Sequence, residues 1–341
     1  MSNLVGVIAV VVAGVLSGSF ATPMKRIRDW EWENTWLVYA VTALLLLPLL
    51  IVTATVPNLG RIWSEAPGDA LLRTFLFGAG WGVGSLTFGL GLKMLGLSLG
   101  FTIMLGITAV TGSLIPMLVQ SPKDLLEPGG LTILAAMVVC VAGVAFCGAA
   151  AVSRQSDKSS KAGPGPASYK LALSVCIVSG ILSSMLNFAF TFGSPIAEVA
   201  KSQLAPGSDL LASNSVWLVA LSGGFVPFSL YCLYLLLTKG SWRKFGRPGA
   251  AGNWVWGILM GTIWTSCIMI YGAGAVYMGE LGTTVGWLIL MSVTVLMANI
   301  WGVITGEWKG APPRARHRML WGLLLLIGSV ILVGLGRSLL G

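Results

Sequence analysis

Ten stretches of this chain are long and apolar enough to cross a bilayer, and they restrict the fold more than any other feature. They run approximately over 4–23, 35–55, 71–92, 98–119, 130–152, 169–191, 211–238, 253–277, 283–305 and 319–339, each close to the ~20 residues a spanning helix needs. Lipid offers no water to backbone N–H and C=O groups, so only helices or closed barrels cross it. Runs of this length read as helices. The rest of the composition agrees. Charged residues make up 10% of the 341, against about 25% in a soluble domain, and the mean hydropathy is +0.86. There is too little charge to solvate a globular surface. The fold class is an all-α, ten-span membrane protein.

Within these spans one stretch is repeated. Shifting Gly78–Gly106 by 183 residues sets Gly78 on Gly261, Trp81 on Trp264, Phe88 on Tyr271 and Gly89 on Gly272. Continuing, Gly91 meets Gly274, Gly96 meets Gly279 and Leu105 meets Leu288. Matching glycines carry backbone requirements as well as hydrophobicity. We read an internal duplication in which spans 3 and 4 are twins of spans 8 and 9. Gly143 and Gly328 extend it more weakly to spans 5 and 10.

The basic residues fix the expected topology. The loops after spans 1, 3, 5, 7 and 9 hold sixteen lysines and arginines, those after the even spans only Arg61, Arg73, Lys123 and Lys201. Cytoplasmic loops are the lysine- and arginine-rich ones, so odd loops are expected in the cytoplasm and both termini in the periplasm. The net charge of +9 therefore reads as topology and contact with anionic membrane lipid, with no nucleic-acid partner. The apolar N-terminus lacks a basic leader and reads as the first span. The polar run 153–168, rich in glycine and proline, reads as a flexible cytoplasmic linker between a first unit, 1–152, and a second, 169–341. Five spans in each half force the two copies to enter in opposite directions, as in transporters built from inverted repeats. The junctions Leu95–Gly100 and Met278–Thr283 are the expected hinges. Pro227, inside the seventh span, predicts a kink.

Polar residues inside spans are few, and each is weighed against simple helix packing. Asn187 shares a face with Ser183, Ser184 and Thr191, and Asn299 with Thr294 follows the same logic in the ninth span. Such groups bond neighbouring helices or line a cavity for a polar solute. The twins Trp81 and Trp264, roughly one turn into their spans, read as interfacial anchors or as walls for a sugar ring. The candidate solute-binding set is Trp81, Phe88, Asn187, Trp264, Tyr271, Thr284 and Asn299, in a cavity between spans 3, 4, 8 and 9. No carboxylate sits in mid-span; Glu280 and Glu198 are the proton-coupling candidates, Glu198 with Lys201 as an exposed pair. The glycine runs lack the strand and spacing of a nucleotide loop. Five cysteines, all in apolar runs, read as buried thiols, and His317 as part of a solvated basic cluster. No metal or cofactor pattern and no nucleophile–base set is present, so an enzyme is not indicated.

The runs FATPMKRIRDWEWENTW (Phe20–Trp36) and LFGAGWGVGSLTFGLGLKMLGLSLGFTIMLGIT (Leu76–Thr108) resemble the L-rhamnose–proton symporter family of the drug/metabolite transporter superfamily. The first carries Pro23, a basic cluster and the WxWE element at Trp30–Glu33. A fainter likeness continues through Ser194–Leu204, Tyr271–Ser292 and the GEWK at Gly306–Lys309. The resemblance implies ten spans in two inverted repeats and uptake of a sugar with a coupling ion, a proton, across the inner membrane. The opening of the ninth span, 281–286, is less polar than the likeness leads one to expect. A transporter of another metabolite, an exporter, and a non-transporting scaffold or sensor stay open as alternatives; oligomeric state is not legible.

Overall fold

In the computed structural model, residues 2–95, 97–155, 166–205 and 208–340 are described. Among them there are helices, turns and short connections and no strand. The ten apolar runs become ten candidate spans: α1 (Leu4–Arg26), α2 (Trp32–Thr55), α3 (Gly68–Leu95), α4 (Leu99–Gln120), α5 (Pro128–Arg154), α6 (Tyr169–Lys201), α7 (Leu210–Lys239), α8 (Ala250–Tyr277), α9 (Gly279–Ile304) and α10 (Pro313–Leu339). Gly96, Pro206 and residues 156–165 of the expected linker lie outside the described residues; helix continues to Gln155 on one side of that gap and restarts at Pro166 on the other.

Small residues set how the spans meet. A Cβ on Gly78 of α3 would collide with the Ala220 carbonyl of α7, and one on its twin Gly261 would fall 2.7 Å from the Thr42 Cβ of α2. Close backbone approach of this kind supplies the packing that lipid cannot drive by hydrophobicity. As a result α3 packs on α6 and α7, and α8 on α1 and α2. Helix α4 packs on α6 and α5, α9 on α1 and α10, and α4 also meets α9. Polar side chains reinforce the contacts. Thr265 donates to the Ala43 carbonyl at 3.1 Å, Thr108 to the Gly180 carbonyl at 3.0 Å, and Ser292 bonds Ser329 at 2.9 Å. All five cysteines are buried and free.

Departures from a plain helix occur within α2 and α6 and at the α8–α9 junction. α2 carries a π-helical turn over Val41–Leu46, directly ahead of Pro48. A proline ring lacks the N–H and clashes with the carbonyl four residues back; widening the preceding turn removes that clash, and such bulges concentrate at functional sites. Pro48 lies inside α2, seven residues before its end. α6 breaks at Gly193 and resumes as Ser194–Lys201 with Pro195 in its first turn. Between α8 and α9, Gly279 has φ +70°, a left-handed conformation that glycine adopts without strain.

Candidate functional site

Three helical stripes converge on one hollow. On α2, Trp32, Glu33, Trp36 and Tyr39 share a face; on α3, Trp81, Ser85, Gly89 and Lys93 follow at four-residue steps; on α7, Phe228, Tyr231, Leu235 and Lys239 follow at steps of three and four. Together with Phe20, Phe88, Ser183 and Trp264 they line a cavity of about 690 Å³. It opens where α1, α3 and α7 end and α2 begins, on the face that carries the basic loops. Nine aromatic side chains line it, and the polar groups are few, which is the usual make-up of a small-molecule site.

The aromatic wall is continuous. Trp81 and Trp264 stack with centroids 5.2 Å apart and 18° between planes. Both lie near the midpoints of 28-residue helices, at mid-span instead of one turn in. Tyr39 packs edge-on to Trp264 at 6.1 Å and to Trp36 at 5.1 Å. Trp32 stacks on Phe228 at 6.2 Å. The Trp36 indole N–H is buried with no hydrogen-bond partner.

Glu33 gives the cavity its carboxylate. It is 0% exposed and bonded twice: the Ser241 hydroxyl donates to Oε1 at 2.6 Å, and the Lys239 ammonium to Oε2 at 3.1 Å. Burying a charge is costly unless it is paired and hydrogen-bonded, and here it is both. Its place in the first turn of α2 also suits the positive end of the helix dipole. The next residue, Asn34, donates to the Ser241 carbonyl at 3.0 Å. The start of α2 is thus fastened to the α7–α8 connection.

The opposite face is closed. There Asn187 donates to the carbonyls of Gly112 and Thr283 at 2.8 and 3.1 Å and accepts from the Tyr271 hydroxyl at 2.6 Å. Trp287 donates to the Thr108 carbonyl at 3.0 Å. Phe190 and Trp217 stack at 4.5 Å, 6° from parallel. These bonds hold α4, α6, α8 and α9 together around a residual hollow of about 160 Å³, bordered by Gln120, Thr191, Glu198, Glu280 and Thr283.

The sequence-derived candidates therefore separate into groups. Trp81, Phe88 and Trp264 stand on the cavity wall. Asn187 and Tyr271 are bonded to each other inside the closed face. Thr284 is buried beside them in α9, its hydroxyl unpartnered. Asn299 donates to the Val295 carbonyl of its own helix at 2.8 Å. Glu280 and Glu198 border the small hollow on the far face, Glu198 paired with Lys201 at 2.9 Å. Sequence reasoning expected walls from α4 and α9; the cavity is walled by α2 and α7 instead, because α4 and α9 are spent packing on α6, α1 and one another. Glu33 and Lys239 went unassigned, the first inside the WxWE element and the second among topology charges. The aromatic stripes on α2 and α7 were the available signal.

The architecture is that of a multi-pass membrane protein with an aromatic cavity closed at one end. A model of the L-rhamnose-proton symport protein (RhaT) family matches residues 1–339. The chain belongs to that family. It is 28% identical to an L-rhamnose-proton symporter of Pectobacterium atrosepticum, over 99% of this chain and 100% of that one. It is also 28% identical to one of Mannheimia succiniciproducens, over 99% of both chains, and to one of Yersinia pestis, over 98% of both. A solved crystal structure with 14% sequence identity superposes with a TM-score of 0.57 over 99% of this chain and 98% of its own, a likeness of fold.

Proposed function

We propose that this protein is a secondary active transporter that takes up L-rhamnose or a related sugar with a proton by alternating access. The observation that carries this reading is the aromatic cavity with one buried, bonded carboxylate at its mouth. Apolar ring faces of a sugar pack on indole, as at Trp81 and Trp264, while the Trp36 N–H, Ser85, Ser183 and Glu33 meet its hydroxyls. The volume falls within the range of small-molecule sites. The relatives, L-rhamnose-proton symporters, agree with sugar and proton as the pair transported.

Glu33 is our candidate for the coupling group in this site, ahead of Glu280 and Glu198, which lie across the protein from the cavity. Ionised, it binds Lys239 and Ser241 and ties α2 to the end of α7. Protonated, it loses the ion pair, and that tie weakens. A proton taken up at this carboxylate therefore favours separation of α2 from α7. Intramembrane acids are commonly used this way.

Two further readings follow. The basic face, where the cavity opens, is cytoplasmic by the positive-inside rule, with both termini periplasmic and the protein in the inner membrane. The units 1–152 and 169–341 are inverted repeats, joined by the 153–168 linker. In support, the helix contacts map onto themselves when the halves are exchanged: α3 with α6 and α7 corresponds to α8 with α1 and α2, and twin glycines 78 and 261 meet twin helices.

Uptake of labelled L-rhamnose into proteoliposomes, with and without an inward proton gradient, tests the proposal. Gradient-dependent uptake that Glu33→Gln uncouples is the expected result. No uptake in either condition by folded, inserted protein removes the sugar and leaves the fold.

A further inference from the structure

Beside the cavity mouth lies a second hollow, of about 340 Å³, between the α1–α2 connection and the start of α8. Four cations border it, Arg26, Arg28, Lys244 and Arg247, against a single carboxylate, Asp29. Lys244 is paired with Glu31 at 2.6 Å, and Arg26 lies over the Trp256 ring, 4.9 Å from its centroid. The guanidinium groups of Arg28 and Arg247 have no carboxylate partner among the described residues.

The frame around these cations is fastened. The Arg28 main chain is bonded on both sides to the Asn253 side chain, at 3.1 and 2.6 Å. Trp30 donates to the Lys244 carbonyl at 3.2 Å and packs edge-on to Phe245 and Trp254. The first turn of α8 opens into the same space. Gly249, with φ +86°, and Gly252 have no heavy atom within 4 Å of where a Cβ would stand. The first amides of a helix lack intrahelical acceptors and carry the positive end of its dipole. Two unpaired guanidinium groups, two further cations and an open helix start face one bordered volume. Guanidinium forks match the oxygens of phosphate bidentately.

We propose that this hollow binds a phosphate ester, either the headgroup of an anionic phospholipid or a soluble phosphorylated metabolite. Its occupant bridges the α1–α2 and α7–α8 connections, next to the Glu33–Ser241 and Asn34–Ser241 bonds that fasten the start of α2 to the second of them. Binding there stabilises the arrangement in which the cavity is open on this face.

Thermal unfolding of the purified full chain tests this with two sets of probes. One compares nanodiscs of phosphatidylglycerol with nanodiscs of phosphatidylcholine. The other adds inorganic phosphate or glucose 6-phosphate in detergent, against chloride at equal ionic strength. The unfolding midpoint is expected to rise with at least one phosphate probe. The Arg28→Gln/Arg247→Gln variant should need about tenfold more of that probe for the same rise. Gly252→Asp, which sets a carboxylate in the open space and removes no arginine, should behave likewise. Arg314→Gln/Arg316→Gln loses the same charge elsewhere and should respond as the unmodified chain does. A rise confined to phosphatidylglycerol assigns the lipid headgroup, and one with the soluble probes assigns the metabolite. No rise with any probe, or equal responses in the two arginine variants, overturns the site.

Discussion

Trp81 and Trp264, which a 183-residue shift of the sequence sets on each other, stack 5.2 Å between centroids in the wall of the cavity. Each belongs to a different half of the chain, so the contact joins the halves at the depth where a solute would sit. Truncating Trp264 to alanine removes a ring face from the cavity as well as half of the stack. Aromatic contacts contribute about 0.5–1.5 kcal/mol beyond the area they bury. We expect Trp264→Ala to raise the KM for the transported sugar about tenfold, with Trp264→Phe recovering most of it. Initial-rate uptake in proteoliposomes measures this. An unfolding midpoint close to that of the unmodified chain separates lost binding from lost fold.

A second prediction concerns the Glu33–Lys239 pair. Glu33 is 0% exposed, while the Lys239 side chain is 51% exposed, so water softens the loss of the lysine. Lys239→Met leaves the carboxylate with Ser241 alone and should destabilise by about 1–2 kcal/mol, the lower part of the cost of orphaning a buried charge. Adding Glu33→Gln should restore part of that loss. A double-mutant cycle by chemical or thermal unfolding gives the coupling. Strict additivity of the two changes would show that the pair does not interact.

The ten spans were legible because bilayer thickness forces runs of a length that no other fold uses. The Trp81–Trp264 relation was legible because a fixed register carried both residues along with their glycines. Glu33 was not, because its partners Lys239 and Ser241 lie more than two hundred residues away and its position in α2 reads as a span end. Asn187 illustrates a further limit: helical spacing puts it on a polar stripe, but spacing alone does not tell a stripe facing a cavity from one facing another helix. The π turn at Val41–Leu46 likewise leaves no mark beyond Pro48. Walls from α2 and α7 were missed because neither carries the duplicated motif.

The glycines predict opposite outcomes for one kind of substitution. Gly78→Ala drives a methyl group into the Ala220 carbonyl, which belongs to a helix backbone and cannot step aside. Overpacking of this sort costs about 1–3 kcal/mol, and α3 and α7 should separate. Gly89 borders the cavity and has nothing within 4 Å of where a Cβ would stand. Gly89→Ala should therefore keep or slightly raise the unfolding midpoint, since alanine favours helix by up to about 1 kcal/mol, while changing uptake kinetics. Unfolding midpoints and uptake rates measured on both variants test the contrast. Equal destabilisation by the two would contradict it.

The last prediction concerns pH and a latch on the basic face. Glu307, in the α9–α10 connection, is ion-paired with Lys25 at the end of α1 and with Arg154 at the end of α5, the latter at 3.0 Å. The Lys25 hydrogen bond foremost, and then that of Arg154, holds the Glu307 carboxyl below its usual range even though partial burial pushes the other way. A carboxyl whose pKa is lower folded than unfolded contributes stability that is fully present above the unfolded value, about 4.3. That contribution is lost as pH falls through the folded value. The Glu307 side chain is 40% exposed, so screening keeps the effect to about 1 kcal/mol or less. Lowering the pH from 6 to 3 should thus destabilise the unmodified chain more than Glu307→Gln, with the two converging at the acid end. Unfolding midpoints across that interval measure the difference. A gap between the two proteins that stays constant with pH would show that ionisation of Glu307 does not hold the latch.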